Sequence, residues 1–322
     1  MSTVPKFIRP RVALGTHPIE TGDYIIATPP VCRLYDTVKG WIEDRVPGAM
    51  IVGKQRFGKT WASKYLVQAL AQDCGVPLFG IVCRTCRLSN ENAFWEDLLS
   101  GVGHAITTGK PKAKRDRLTE FLAERARANN KKRVVLLLDE AQKLHEIHYH
   151  WLVDLHNALD KRSVATTWLL FGQEELRHQK EVFVTAKQMQ ILGRFMNHDY
   201  SFAGLQSESD FKLCLDAYDD SEWTEYPVGS GWSFTRYYFP LAYDNGGRLA
   251  VLAGELWRAF AEVREEARLP QGTEVPMQYF AGTVEYALRR FGSLDAMSIG
   301  ISLNMWKEAI RSSGYHEAAQ YL

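Results

Sequence analysis

Apolar and polar positions form two alternating patterns between residue 31 and about residue 205. Short apolar runs predict buried strands, and they read AMIVG, LFGIVC, RVVLLLDEA and TTWLLFG. Between these runs, apolar residues recur at helical spacing, as in VCRLYDTVKGWIEDRV and WASKYLVQALAQDC. Because strands that alternate with helices pair in parallel, this region is predicted to be a doubly wound α/β domain.

The flanking regions have other patterns. The N-terminal residues predict an irregular leader ending in ATPP, where paired prolines are expected to preclude a helix. Beyond the core, helical patterns dominate and surround the aromatic stretch SEWTEYPVGSGWSFTRYYFP, for which partner docking and packing between core and lid both stay open. The expected parts are a leader (1–30), an αβα core (31–205), a helical lid (206–268) and a C-terminal extension (269–322).

Composition narrows the class of protein. The 322 residues are 46% hydrophobic and 24% charged, as in ordinary globular proteins. The longest apolar run, VVLLL, is far too short to span a membrane, and the N-terminus lacks the apolar segment of a signal peptide. Five scattered cysteines are typical of reduced thiols. The sequence therefore predicts a cytoplasmic protein without a membrane partner.

The stretch GKQRFGKT, residues 53–60, has the spacing of a phosphate-binding P-loop between a strand and a helix. Its glycines allow a tight turn that aims backbone N–H groups at phosphates, and the helix N-terminus favours the same anion. Lys59 would reach the β and γ phosphates, and Thr60 would bind Mg²⁺. A glycine-rich turn is the alternative. The predicted nucleotide-binding residues here are Gly53, Gln55, Arg56, Phe57, Gly58, Lys59, Thr60 and Trp61.

A second motif, VVLLLDEAQ, places two carboxylates after a buried strand. Asp139 is predicted to hold Mg²⁺, directly or through water, and Glu140 to polarise an attacking water. The carboxyl edge of a parallel sheet is also where α/β proteins bind ligands. The alternative is a surface turn after a core strand. Since a small-molecule kinase needs no residue that activates water, the Asp-Glu pair favours hydrolysis.

Three further polar residues are candidates for the same site. Gln173 follows the strand TTWLLFG and could touch the γ-phosphate or water, or serve a helix cap or turn. Arg194 could be an arginine finger in a neighbouring subunit's site, a surface salt bridge or a partner of a helix C-terminus. Arg248 lies in the first turn of a predicted helix, where the dipole disfavours a cation, which suggests phosphate contact from a lid; a solvated arginine is the alternative.

In their order along the chain, these motifs resemble the AAA+ ATPases of the initiator type. Within these, the chain resembles the TnsC/TniB/MuB group, the ATP-dependent regulators of target selection in DNA transposition. The resemblance covers about residues 25–265, and the P-loop and Asp-Glu pair are shared by AAA+ and related NTPases generally. The stretches that carry it, besides the P-loop, are ATPPVCRLYDTV, LLLDEAQKL, LLFGQEEL, LGRF and GLQSESDF.

The resemblance implies a switch. Such proteins bind ATP and Mg²⁺ between subunits, assemble as rings or helical filaments on duplex DNA, recruit a transposase to a target marked by an adaptor, and are released by slow hydrolysis. It implies a Walker B pair at Asp139 and Glu140, sensor 1 at Gln173, the finger at Arg194 and sensor 2 at Arg248. A largely non-hydrolysing scaffold, another AAA+ remodeller and a P-loop kinase remain alternatives.

If that resemblance holds, DNA contacts should be independent of sequence and directed at phosphates. The segment KPKAKRDRLTEFLAERARANNKKR, residues 110–133, is rich in Lys and Arg and carries a predicted helix over about 114–129. A solvated helix face with a basic loop is the alternative. The predicted DNA contacts are Lys110, Lys112, Lys114, Arg115 and Arg117.

Overall fold

The structure, a computed structural model, describes residues 9–85, 89–128, 131–268 and 274–318. The chain divides into two compact units. The core unit comprises Arg33–Gln55 and Lys59–Phe202. The helical unit comprises the described residues of Met1–Cys32, Arg56–Gly58 and Ala203–Leu322.

Among the described residues, two helices precede the first strand, α1 (Pro18–Thr21) and α2 (Pro29–Glu43). The expectation that the paired prolines preclude a helix is wrong, because α2 begins at the first of them. The first turn of a helix needs no N–H donor, and the φ of proline suits that position. Ile19 and Ile26, in the segment expected to be an irregular leader, are buried in the helical unit.

The core unit contains a five-stranded sheet with the order β2-β3-β4-β1-β5. Its strands are β1 (Gly48–Val52), β2 (Leu78–Val82), β3 (Arg133–Asp139), β4 (Ala165–Gly172) and β5 (His198–Ser201). All neighbouring strands are parallel, and Val52 pairs with Gly172. The carboxyl ends of β1 and β4 therefore lie side by side, and the predicted α/β fold is confirmed.

Helices connect the strands of the core unit, and a short 3-10 turn (Ala141–Lys143) follows β3. The helices are α3 (Lys59–Asp73), α4 (Glu91–Gly101), α5 (Pro111–Arg127), α6 (Glu146–Asp160), α7 (Glu175–Thr185) and α8 (Met189–Phe195). The predicted start of α5 near residue 114 is late, since Pro111 occupies the first helical position, where proline is favoured. Strands β1 and β3 are almost wholly buried, which explains their continuous apolar runs.

The helical unit has a separate apolar core, to which Phe211 and Trp306 contribute. Its further elements are α9 (Glu208–Asp219), α10 (Ser221–Thr224), α11 (Phe234–Tyr238), α12 (Pro240–Asp244), a 3-10 turn (Leu249–Leu252), α13 (Ala253–Glu266), α14 (Met277–Phe291), α15 (Leu303–Ser312) and α16 (Tyr315–Ala318). This core joins residues expected to form a leader, a lid and a C-terminal extension. No helix among the described residues has the length and apolarity to cross a bilayer.

The aromatic stretch contributes to the interior of the helical unit. Of its large aromatic side chains only Trp223 is mostly exposed, at 51%. The buried ones are Trp232, Phe234, Tyr237, Tyr238 and Phe239. Because these rings are covered within the unit, they are not available as a docking surface for a partner.

Acid is expected to destabilise both units through buried neutral histidines. Burial lowers the pKa of His17 and of His148 to about 4, with smaller contributions from Arg9 and His145 respectively. An unfolded histidine has a pKa near 6.5, so the unfolded chain binds more protons between about pH 6.5 and pH 4. The free energy of unfolding should fall across that window, on the order of 1–3 kcal/mol for each histidine.

Urea unfolding at pH 7.5 and pH 5 measures this effect. The variants His17→Gln and His148→Gln should each show a smaller loss of stability on acidification than the parent. His178→Gln, at an exposed position, is the matched control and should behave like the parent. Equal acid sensitivity of all four proteins would contradict the assignment.

Candidate functional site

The P-loop begins where β1 ends, beside β4. The amide of Gly53 donates to the carbonyl of Gly172 at 3.2 Å. A Cβ at Gly53 would lie 2.6 Å from the carbonyl oxygen of Phe202, so only glycine fits there. Gly58 has φ +97°, a conformation that side-chain-bearing residues rarely adopt. Both glycines are therefore required by the shape of the loop.

Lys59, the first residue of α3, is only 7% exposed. Its ammonium donates to the carbonyls of Gly53 and Lys54 at 2.6 and 2.7 Å. Burial lowers the pKa of Lys59, and the nearby carboxylates oppose this effect; they belong to Glu140, Asp139 and Glu175. The loop thus holds a cation beside the acidic residues that follow β3.

Asp139 ends β3 and is 3% exposed. Burial raises the pKa of its carboxyl group, while hydrogen bonds from the Thr60 hydroxyl and the Glu140 amide lower it. The Glu140 amide lies 2.9 Å from the Asp139 Oδ1. The two side chains predicted to hold the metal therefore meet, and hydroxyl and carboxylate oxygens are the ligand types that suit Mg²⁺.

Glu140 adopts a left-handed backbone conformation with φ +59°. This is uncommon for a residue other than glycine, and such conformations cluster at functional sites. Its side chain is 27% exposed, and its Oε2 lies 3.2 Å from the Lys143 ammonium. Its negative charge also raises the pKa of the P-loop lysine, Lys59.

Gln173 and the P-loop are joined by an amide–amide hydrogen bond. The Nε2 of Gln55 donates to the Oε1 of Gln173 at 2.9 Å. The N-cap of α7 is Glu174, which makes no side-chain capping bond. The side chain of Gln173 thus interacts with the P-loop, although its carbonyl also accepts from the Leu176 amide in a turn.

The tip of the P-loop, Arg56–Gly58, clusters with the helical unit. The carbonyl of Arg56 accepts from the Gln278 amide at 3.2 Å, and its guanidinium hydrogen-bonds to the Tyr279 hydroxyl. Phe57 is buried. These partners lie far along the sequence from the loop, so no local sequence pattern predicts the contacts.

Trp61 lies on α3, two residues after Lys59. The residue is 38% exposed, and the centre of its ring lies 4.3 Å from the Lys64 ammonium. This cation–π contact covers part of the ring, while the remainder stays accessible.

Arg194 lies in the last turn of α8, where a cation is favourable to the helix dipole. Its guanidinium donates to the Oδ1 of Asn157 at 3.0 Å and to the Gln190 carbonyl at 3.2 Å. Its Nε is buried and has no partner within the described part of the chain. The recorded partners are neutral oxygens, so Arg194 carries a charge that they do not neutralise.

The structure corrects the placement of Arg248. It precedes the 3-10 turn (Leu249–Leu252) in extended conformation, and α13 begins only at Ala253. Its guanidinium lies 3.7 Å from the centre of the Tyr243 ring and donates to the carbonyls of Tyr243 and Gly247. Because Arg248 is not in a first helical turn, the helix dipole does not disfavour its charge as the sequence predicts.

The basic segment divides into buried and exposed cations. Lys114, a predicted DNA contact, is 1% exposed and forms an ion pair with Glu96 at 2.6 Å, so in this structure its ammonium is not offered to a phosphate at the surface. Arg115 lies 3.6 Å from Asp154. Arg117 donates to the carbonyls of residues 106 and 108. Of the five predicted contacts, Lys110 and Lys112 are the ones classed as exposed, while Arg115 and Arg117 are half-buried.

The chain is similar to known proteins in part of its sequence and in its fold. Residues 47–179 match the family model described as an AAA domain. The chain is similar to the Aeropyrum pernix ORC2 protein in its ADPNP–ADP complexes, with 13% identity, a TM-score of 0.54, and 92% of this chain and 71% of that chain covered. The chain is also similar to the ADP form of that protein, with 12% identity, a TM-score of 0.57, and 90% of this chain and 70% of that chain covered. No curated protein matches the chain.

At such identities the similarity to solved structures concerns the fold. The parallel sheet, the P-loop after β1 and the acidic pair after β3 agree with that fold. Residues 47–179 are therefore similar to an AAA domain, and the chain has the α/β fold of P-loop NTPases, which it shares with the Aeropyrum pernix ORC2 protein.

Proposed function

We propose that the protein is a Mg²⁺-dependent ATPase that oligomerises on duplex DNA in its ATP-bound state and regulates DNA transposition. The observation that carries this proposal is the grouping of Lys59, Thr60, Asp139 and Glu140 at the carboxyl edge of the core sheet. This grouping supplies a cation for phosphates, oxygen ligands for a metal and a carboxylate for a water.

The chain's own residues would act as follows. Loop amides and the start of α3 would bind the phosphates, and Lys59 would exchange its carbonyl partners for phosphate oxygens. Thr60 and Asp139 would hold Mg²⁺, which neutralises phosphate charge when bound. Glu140 would take a proton from the attacking water, and Gln173, oriented by Gln55, would contact the γ-phosphate or that water.

Assembly is the second part of the proposal. Arg194 would act as a finger on the ATP of a neighbouring subunit, and Arg248 would contact phosphate as sensor 2. The neutral partners of Arg194 support its part, since a guanidinium without a paired carboxylate can transfer to a phosphate at small electrostatic cost. The role of Arg248 is proposed from the sequence resemblance. Its hydrogen bonds to nearby carbonyls would have to be exchanged for bonds to phosphate.

The role in transposition, with a transposase and a target-site adaptor as partners, rests on the resemblance of the sequence stretches LLLDEAQKL and LLFGQEEL to the TnsC/TniB/MuB group. Phosphate release and sedimentation, each with and without duplex DNA, test it. DNA should promote ATP-dependent assembly and change the rate of phosphate release. A monomer in ATP, with phosphate release indifferent to DNA, would favour a kinase or another AAA+ remodeller.

Sequence-independent DNA binding is expected to involve Lys110 and Lys112. Replacing both with Ala should weaken affinity for duplexes of any sequence and reduce the slope of log K against log salt by about 2, since each lost phosphate contact removes about 0.9. Fluorescence anisotropy over a salt series measures the slope. The matched control replaces the exposed Lys161 and Lys187. An unchanged slope in the first variant would exclude these lysines as contacts.

A further inference from the structure

The carboxylate of Glu140 is held through one of its two oxygens. Its Oε2 accepts a hydrogen bond from the Gln142 Nε2 at 3.0 Å and lies 3.2 Å from the Lys143 Nζ. Both donors belong to the 3-10 turn that directly follows Glu140. Within the described residues, the recorded bonds leave the Oε1 of Glu140 free to accept a proton.

The chemistry of the two groups determines the orientation of the Gln142 amide. A carboxylate only accepts hydrogen bonds, so the amide nitrogen must face it. The Oε1 of Gln142 is then buried without a partner among the described residues. It packs at the end of β4, where a Cβ at Gly172 would lie 2.9 Å from it.

A packing role alone does not explain a glutamine here. A leucine would fill similar space without burying an unpaired oxygen, which is unfavourable. The donation from Nε2 to Glu140 is the only recorded hydrogen bond of this side chain within the described structure. The hydrogen bond that the amide donates to Glu140 therefore explains why a glutamine occupies this position.

The turn that carries both donors is itself anchored. From α7, the Nε2 of Gln179 donates to the carbonyls of Gln142 and Leu144 at 2.8 and 3.0 Å. The hydroxyl of Tyr149 donates to the Oε1 of Gln179 at 3.3 Å. Because backbone and side chain are both restrained, the position of the Oε2 of Glu140 is determined by the fold.

We propose that Gln142 and Lys143 are positioning residues that hold the Oε2 of Glu140, so that Oε1 is the oxygen that accepts the proton of the attacking water. This inference rests on the proposed ATP hydrolysis. The O–H bond of water breaks, its proton goes to Oε1, and its oxygen bonds to the γ-phosphorus. The bond between that phosphorus and the β–γ bridging oxygen breaks, and ADP leaves with the electron pair.

Steady-state kinetics of Gln142→Leu tests the proposal. The kcat for ATP hydrolysis should fall about 10- to 100-fold, as expected for a misplaced reacting group, while KM changes much less. Gln188→Leu is the matched control, because it removes a glutamine–glutamate hydrogen bond of 2.7 Å, to Glu146, on an exposed surface. That control should keep the parent kcat.

Substitutions of Lys143 provide a second test, which remains informative if Gln142→Leu fails to fold. Lys143→Met should lower kcat, and Lys143→Arg, which preserves the charge, should restore most of it. Melting temperature and binding of a slowly hydrolysed ATP analogue show whether each variant remains folded and competent to bind.

A double variant shows whether Gln142 acts through Glu140. In a Glu140→Gln background, Gln142→Leu should cause no further loss of kcat, because residues that act as a unit are not additive. Parent-like kcat in Gln142→Leu and Lys143→Met, or a full additional loss in the double variant, would overturn the inference. A parent protein that binds ATP but does not hydrolyse it would instead overturn the proposed hydrolysis, and this inference with it.

Discussion

Replacing Glu140 with Gln is expected to lower kcat for ATP hydrolysis by about 10²- to 10⁴-fold, the range that positioned general bases contribute. The amide retains the size of the side chain but cannot take a proton from water. Nucleotide binding should persist, since Lys59, Thr60 and Asp139 are unchanged. Hydrolysis is the proposed reset, so DNA-bound oligomers formed with ATP should persist in this variant. Phosphate release and the lifetime of the DNA complex measure the two effects.

Glu181→Gln is the control, because Glu181 is an exposed carboxylate on α7 and takes no part in the proposed site. It should hydrolyse ATP at the parent rate. If Glu140→Gln retained the parent rate, Glu140 would not be the residue that activates water. If the parent itself assembled on DNA without turnover, the protein would be the non-hydrolysing scaffold.

Replacing Lys59 with Ala is expected to raise the Kd for ATP by at least about 10- to 100-fold, as charge-assisted hydrogen bonds to phosphate are lost. The substitution also leaves the carbonyls of Gly53 and Lys54 without their ammonium partner. Because ATP is proposed to drive assembly, both turnover and ATP-dependent oligomers on DNA should disappear. Equilibrium binding of a fluorescent nucleotide and sedimentation with DNA measure these outcomes.

The control for this experiment is Lys64→Ala, which removes an exposed lysine one turn further along α3. It should bind ATP with nearly the parent affinity. Intact ATP-dependent assembly in Lys59→Ala would separate assembly from nucleotide binding and contradict the proposed switch.

The sheet and the centre of the site could be predicted because their signals are local. Each buried strand is one apolar run, and parallel pairing brings the residues after β1 and β3 to one edge. Lys59 and Thr60 follow β1 after the glycine loop, while Asp139 ends β3. The sequence therefore predicted the grouping that Thr60 and Asp139 display through their hydrogen bond.

Features that depend on another element could not be predicted in this way. The sequence places Lys114 in a basic segment, yet its side chain is buried and pairs with the exposed Glu96 on α4. Arg248 looked unfavourably placed at a helix start, but Asp219 on α9 caps the following turn by accepting from the amides of Leu249 and Ala250, both at 3.0 Å. Charge can be read from a sequence, whereas burial and pairing require the tertiary structure.

Gln142 is a second kind of residue whose role could not be predicted, although it lies within a recognised motif. It lies next to the acidic pair, but its donation to Glu140 depends on a 3-10 turn held by Gln179 from α7. The start of α2 at its prolines is another case. The general rule that proline breaks helices does not apply to the first helical turn. In both cases the position within the local backbone decides the role of the residue.

In the proposed function, ATP determines whether the protein is held on DNA as an oligomer. Electron microscopy of the protein with duplex DNA in ATP, ADP and a slowly hydrolysed ATP analogue tests it most directly. DNA-encircling rings or filaments are expected with ATP and the analogue, and none with ADP or without nucleotide. Identical particles in every nucleotide state, or no assembly on DNA in any, would contradict it.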